Sequence, residues 1–181
     1  MITEVKTLKT NLLQMAPRPF GEKFGEWVIF ELDNTLESRN DGSHDAIYEK
    51  KRVEIKLSRA KFKFNKKLNF LSSLISTHTS SFVSSDTLDN FDCNIQQVKP
   101  NCFDILIYGV FFEDIIYIFK TTTTVLLNDK KIGYNDKQHR GNVGEGQFHI
   151  KRTNLQYHID NFLYKKLEYM DLIKMIQSNN D

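Results

Sequence analysis

The chain has 181 residues, 40% of them apolar and 12% aromatic with fourteen Phe, enough to close a core without disulfides or structural zinc. Its two cysteines, Cys93 and Cys102, have no clustered metal-ligating neighbours, which argues against a zinc ribbon and fits a reducing cytoplasm. A net charge of +2 excludes little by itself, but no charged-then-apolar leader and no apolar run of membrane-spanning length occurs, so neither secretion nor a membrane role is expected.

Taken in order, the chain opens with a short helix that Pro17-Arg18-Pro19 interrupts. Phe24, Trp27, Val28 and Glu31 recur at helical spacing and predict a helix over about 21–38. Asn40-Asp41-Gly42 reads as a turn into a hairpin, with Asp45–Tyr48 and Val53–Lys56 as arms around Glu49-Lys50-Lys51-Arg52. Leu68, Leu71, Leu74 and Ile75 predict a helix over 66–77, and the Ser/Thr/Asp-rich stretch 76–92 a helix end and loop. Ile95–Val98 reads as a short strand. Phe103–Phe112 and Ile115–Phe119, joined by Glu113-Asp114, are apolar enough to be buried strands. A polar, glycine-punctuated segment over 130–149 and a helix over 154–177 complete the chain. This order predicts one mixed α/β domain over 1–181, with a central mixed sheet flanked by helices.

The first hairpin carries the chemistry. Side chains alternate along a strand, so Glu54 and Lys56 share one face while Val53, Ile55 and Leu57 take the other. If Tyr48 pairs with Val53 and Asp45 with Lys56, then Asp45, Glu54 and Lys56 project together, and a one-residue slip would separate them. Two carboxylates and a lysine on one face suit metal-dependent phosphodiester hydrolysis. The competing reading is an exposed strand with an ordinary cross-strand ion pair. Glu-x-Lys alone does not decide between them, because Glu4-Val5-Lys6 and Glu49-Lys50-Lys51 match it too. Only Glu54–Lys56 combines an apolar strand, an aspartate at short upstream spacing and a preceding acidic helix. Nine Lys or Arg residues against Glu54 alone between Lys50 and Lys67, Lys61 and Lys63 among them, would attract a polyanion beside that face.

Asp45 followed by Glu54-Ile55-Lys56, on consecutive strands after an acidic helix, resembles the PD-(D/E)XK nuclease superfamily, and within it the small type II restriction endonucleases. His44 stands where the family has a proline. The resemblance implies a restriction-endonuclease-like core over about 20–120, and a metal site built from Asp45, Glu54, the carbonyl of Ile55 and a helix glutamate. Glu26, which follows Gly25, fits that last role by resemblance; Glu31 fits it by periodicity. Gln138-His139-Arg140-Gly141-Asn142-Val143-Gly144-Glu145-Gly146-Gln147-Phe148-His149 resembles the recognition segment near the C-terminal end of such enzymes, within a region of about 130–177 that includes the last helix. Its chemistry agrees: Arg140 suits guanine, Asn142 or Gln147 adenine, and Glu145 cytosine, while His139 and His149 add further polar contacts. Asn154, Gln156 and His158 are further candidates. A His-Asn-His reading of His139, Asn142, His149, Asn154 and His158 fits its signature spacing poorly.

The expectation is therefore a Mg²⁺-dependent, sequence-specific endonuclease for double-stranded DNA in the bacterial cytoplasm. Asp45, Glu54 and Lys56 would be catalytic, and the products would carry 5′-phosphate and 3′-hydroxyl ends. Cutting both strands of a symmetric site calls for a homodimer, and the restriction role for a cognate DNA methyltransferase. A structure-specific repair or junction nuclease of the same fold and a non-catalytic DNA-binding module are the alternatives.

Overall fold

A computed structural model describes residues 2–39, 42, 44–62, 83–87, 90–137 and 143–179. Helix α1 (Ile2–Gln14) leads into one helical run made of α2 (Pro17–Pro19), a π-helical turn (Phe20–Gly25) and α3 (Glu26–Leu32), with proline at its first position where no backbone donor is missed. The run stops at Leu32, short of the predicted residue 38. Asp33 is extended and its Oδ1 accepts from Thr35 N at 3.1 Å, an Asx turn that ends the helix and starts β1 (Glu37–Ser38).

The central sheet follows the order β1, β2 (Ala46–Tyr48), β3 (Lys51–Arg59), β6 (Ile105–Phe111), β7 (Ile116–Thr122), β10 (Leu163–Leu167). β3 and β6 run parallel and every other neighbouring pair is antiparallel, so the sheet is mixed. A second, antiparallel sheet has the order β4 (Lys61–Phe62), β5 (Phe91–Val98), β9 (Val143–Lys151), β8 (Asn135–Lys137). The predicted helix over 66–77 lies outside the described residues.

Two clusters of apolar residues bury the two faces of the central sheet. Val53, Ile55, Leu57, Ile107 and Ile118 pack under α1, the π-helical turn, α3 and α6 (Tyr169–Ser178), while a short α4 (Thr123–Asn128) follows β7. Leu106, Tyr108, Val110 and Phe119 face the second sheet, meeting Phe91, Cys93, Ile95, Phe148 and Ile150. The architecture is thus α/β, a mixed sheet flanked by helices, with the second sheet closing the other side. Among the described residues no helix is long and apolar enough to cross a membrane.

Gly109 marks the tightest contact in the central sheet. A Cβ there would collide with Leu57 Cδ2 and lie 2.8 Å from Ile118 Cδ1 and 3.2 Å from Tyr117 O. Gly109→Ala is expected to destabilise the fold by roughly 1–3 kcal/mol, seen as a lower urea midpoint at unchanged slope.

Three sequence expectations fail in the C-terminal third. Residues 143–151 form β9, so the segment read as loop up to His149 is partly strand. The single helix over 154–177 is two, α5 (Arg152–Phe162) and α6, separated by β10. Asp171 Oδ2 accepts from Glu168 N at 2.8 Å, which caps a new helix start, while Leu163–Leu167 completes the sheet against β7. His158, read as a possible DNA contact, is fully buried in the core instead.

Candidate functional site

The hairpin of β2 and β3 turns in two residues. Tyr48 pairs with Lys51, and Glu49 and Lys50 both take positive φ, 47° and 66°, as a type I′ turn requires. Ala46 is therefore opposite Val53, a register two residues tighter than the one expected from sequence. An even shift keeps every side chain on its face. Ala46 and Val53 enter the core, and Asp45, just before β2, lies on the other face with Glu54 and Lys56. Asp45 N donates to Val53 O at 3.0 Å, continuing the ladder.

Lys56 Nζ makes an ion pair with Glu54 Oε1 and lies 3.8 Å from Asp45 Oδ2. The same Asp45 oxygen accepts from Ile55 N at 2.7 Å, which fixes the carboxylate against β3. Ile55's side chain points into the core, so only its backbone belongs to this face. Glu54 is 7% exposed. Burial raises its carboxyl above the ordinary range, the charge of Asp45 adds to that, and Lys56 opposes it. For Lys56 burial pulls the ammonium down, but Glu54 and Asp45 outweigh it and the net shift is upward. Lys56 is a cation at neutral pH.

The π-helical turn brings a third carboxylate in. Its glycines face Leu57 of β3: a Cβ on Gly25 would be 2.9 Å from Leu57 Cδ1, and one on Gly21 3.4 Å from Leu57 O. At Gly25 only glycine allows this approach to β3, while at Gly21 the distance is ordinary contact. Glu26 follows directly. Its carboxyl is pushed up to about 7, first by burial and then by the negative charge of Asp45, with Lys56 opposing. Glu31 is exposed on the same helix. Of the two glutamates left open by the sequence, Glu26 is the one electrostatically joined to Asp45, Glu54 and Lys56.

A cleft of about 400 Å³ opens beside Lys56, between the helical run at Arg18 and Glu22 and the strand residues Asn94, Gln96 and Gln97. Lys99, which also bears on Glu54, pairs with Glu145 at 3.0 Å. Gln147 Oε1 accepts from Asn94 Nδ2 at 3.1 Å, and His149 Nδ1 lies 2.8 Å from Asp92 Oδ1. Glu145, Gln147 and His149 are thus strand residues of β9, held by β5 and by Lys99 just after it, while Asn154 and Gln156 lie on α5. His139, Arg140, Asn142 and Lys63 lie outside the described residues. Lys61 is exposed on β4, opposite Asp92.

The basic run is less uniform than its composition implies. Arg52 forks onto Asp104, with Nη2 to Oδ1 at 2.9 Å and Nε to Oδ2 at 3.2 Å, and holds that carboxyl down at about 2. Arg59 is buried, donating to the carbonyls of Leu12 at 2.8 Å and Leu13 at 2.9 Å near the end of α1. Lys50, Lys51 and Lys61 are the exposed members among the described residues.

No protein-family model, curated protein or solved structure matches the chain.

The donor chemistry present suits a hard divalent cation: carboxylate oxygens of Asp45, Glu54 and Glu26, whose mutual repulsion a cation relieves. Among the described residues no three His, Cys, Asp or Glu side chains converge closely enough to form a ready ligand set. Lys56 neutralises the carboxylates as they stand. Sequence reading missed Asn94, Gln96 and Gln97. For Asn94 and Gln96 the signal was the alternation of Asp92, Asn94 and Gln96 with apolar Phe91, Cys93 and Ile95, the period of a half-buried strand; Gln97 lies at a bulge outside that period.

Proposed function

We propose that this chain is a Mg²⁺-dependent, sequence-specific DNA endonuclease of the type II restriction class, built on a restriction-endonuclease-like core and acting as a homodimer with a cognate DNA methyltransferase as its genetic partner. The observation that supports it best is Lys56 set between Glu54 and Asp45 on one face of a tight hairpin, with the Glu26 carboxyl of the adjacent helix raised by burial and by the charge of Asp45. An ordinary surface ion pair needs neither a third carboxylate nor a 7%-exposed glutamate.

Asp45, Glu54, Glu26 and the Ile55 carbonyl would hold the ion. When bound, Mg²⁺ supplies a Lewis acid for the phosphate oxygens. The chain's own residues do the rest. Ile55 N keeps the Asp45 carboxylate oriented. Lys56, kept protonated by two carboxylates, holds the attacking water by donating to it and offsets negative charge as it builds on the scissile phosphate. Its raised pKa favours this donor role over that of a general base.

Digestion of phage DNA by the pure protein with Mg²⁺ tests the reading. Discrete fragments are expected; a smear would indicate a nuclease without sequence preference, and uncut DNA that is still bound would indicate a binding module. The helix glutamates separate in the same assay. Glu26→Gln, which weakens one of several oxygen donors to the ion, should slow cutting by about 10- to 100-fold, and Glu31→Gln should leave the rate within twofold.

A further inference from the structure

Resting on the nuclease reading, we infer that the outward face of β5, carrying Asn94, Gln96 and Gln97 beside Gln147 of β9, reads base edges, with adenine as its preferred partner.

Position is the first argument. Asn94, Gln96 and Gln97 line the same cleft as Lys56 and Ser58, so a strand lying across Lys56 passes over these amides. Charge is the second. The row lies between the Lys99–Glu145 ion pair and the hydrogen bond joining His149 Nδ1 to Asp92. Lys and Arg supply the charge that carries most of the affinity for phosphate, whereas amides contact phosphates or base edges, and only the base-edge contacts carry sequence information. A primary amide presents a donor and an acceptor side by side, the pattern that matches N7 and N6 of adenine in the major groove, and a two-stranded antiparallel ribbon fits that groove. Asn94 Nδ2 donates to Gln147 Oε1 at 3.1 Å, which links the amides of β5 and β9 into one polar row.

Backbone conformation is the third argument. The β5–β9 register slips between Gln96 and Val98, and Gln97 sits at φ 57°. The bulge leaves both Gln96 and Gln97 exposed at the cleft, where strict alternation would turn one inward. A left-handed position at a bulge is ordinarily glycine's, and a glutamine held there gives up stability for its side chain.

The test is a duplex library with a randomised core, cut with Mg²⁺ and sequenced at the ends, for the wild type and for Asn94→Ala, Gln96→Ala and Gln97→Gly. The wild-type consensus should contain A·T pairs, and each variant should lose preference at one of them by roughly 10- to 100-fold while still cutting. Gln97→Gly should also melt higher than the wild type, because glycine accepts the left-handed backbone, so a purely structural glutamine would leave selectivity intact. Variants that cut with the wild-type consensus, or a consensus without A·T pairs, would overturn the inference and leave the nuclease standing. A wild type that neither cuts nor enriches any duplex, with Ca²⁺ in place of Mg²⁺, would overturn the nuclease reading and this inference with it.

Discussion

Replacing Lys56 with Met is expected to slow Mg²⁺-dependent cleavage by roughly a hundred- to a thousandfold, the range seen when one preorganised donor to a developing charge is removed. The substitution keeps an unbranched chain of similar length and removes only the ammonium. Substrate affinity should change far less, since a single lysine among many basic residues contributes little to phosphate binding, so the loss should fall on kcat and not on KM. The fold responds as well. Glu54, 7% exposed, loses its counter-charge, and its carboxyl, already raised by burial, rises further. It then stays protonated to higher pH, which spares the variant most of the cost of an unpaired buried charge. Stability of Lys56→Met should therefore fall more at pH 8 than at pH 6. Single-turnover cleavage and urea melts at those two pH values measure both effects.

Acid should destabilise the protein through His158. The imidazole is fully buried among Phe119, Phe148 and Phe162, with Nδ1 2.8 Å from the Tyr108 hydroxyl and Nε2 without a partner among the described residues. Burial lowers its pKa from 6.5 to about 4. Above pH 6.5 the imidazole is neutral in both folded and unfolded chains and has no effect. As pH falls below 6.5 the unfolded chain takes up a proton that the folded one refuses, so stability is lost until about pH 4, where both are charged. The depression corresponds to roughly 3 kcal/mol across that window. His158→Gln, which can still accept from Tyr108, should flatten the dependence of the urea midpoint on pH between 6.5 and 4. An equally steep decline in the variant would assign acid sensitivity elsewhere.

The central strands were legible because Ile105–Phe111 and Ile116–Thr122 are unbroken apolar runs with one acidic turn between them. The face shared by Asp45, Glu54 and Lys56 was legible because parity survives an even register error. The register itself was not: Glu49 and Lys50 occupy left-handed positions that Asn or Gly would have announced, so the turn looked four residues long. The C-terminal helix was overextended for a related reason. Leu163-Tyr164-Lys165-Lys166-Leu167 has no strong period, and pairing with β7 decides its state, which is a tertiary effect. Glu26 could not be chosen over Glu31 from spacing, because the choice depends on Gly25 letting a π-helical turn press against Leu57.

Cleavage of supercoiled plasmid, with Mg²⁺ and with a chelator, by the wild type and by Asp45→Asn/Lys56→Met measures the central claim most directly. The account predicts that the wild type linearises plasmid only with Mg²⁺ and that the double variant, still folded by its thermal melt, does not cut. Mg²⁺-dependent cutting by the double variant at the wild-type rate would contradict the assignment of this hairpin as the active site.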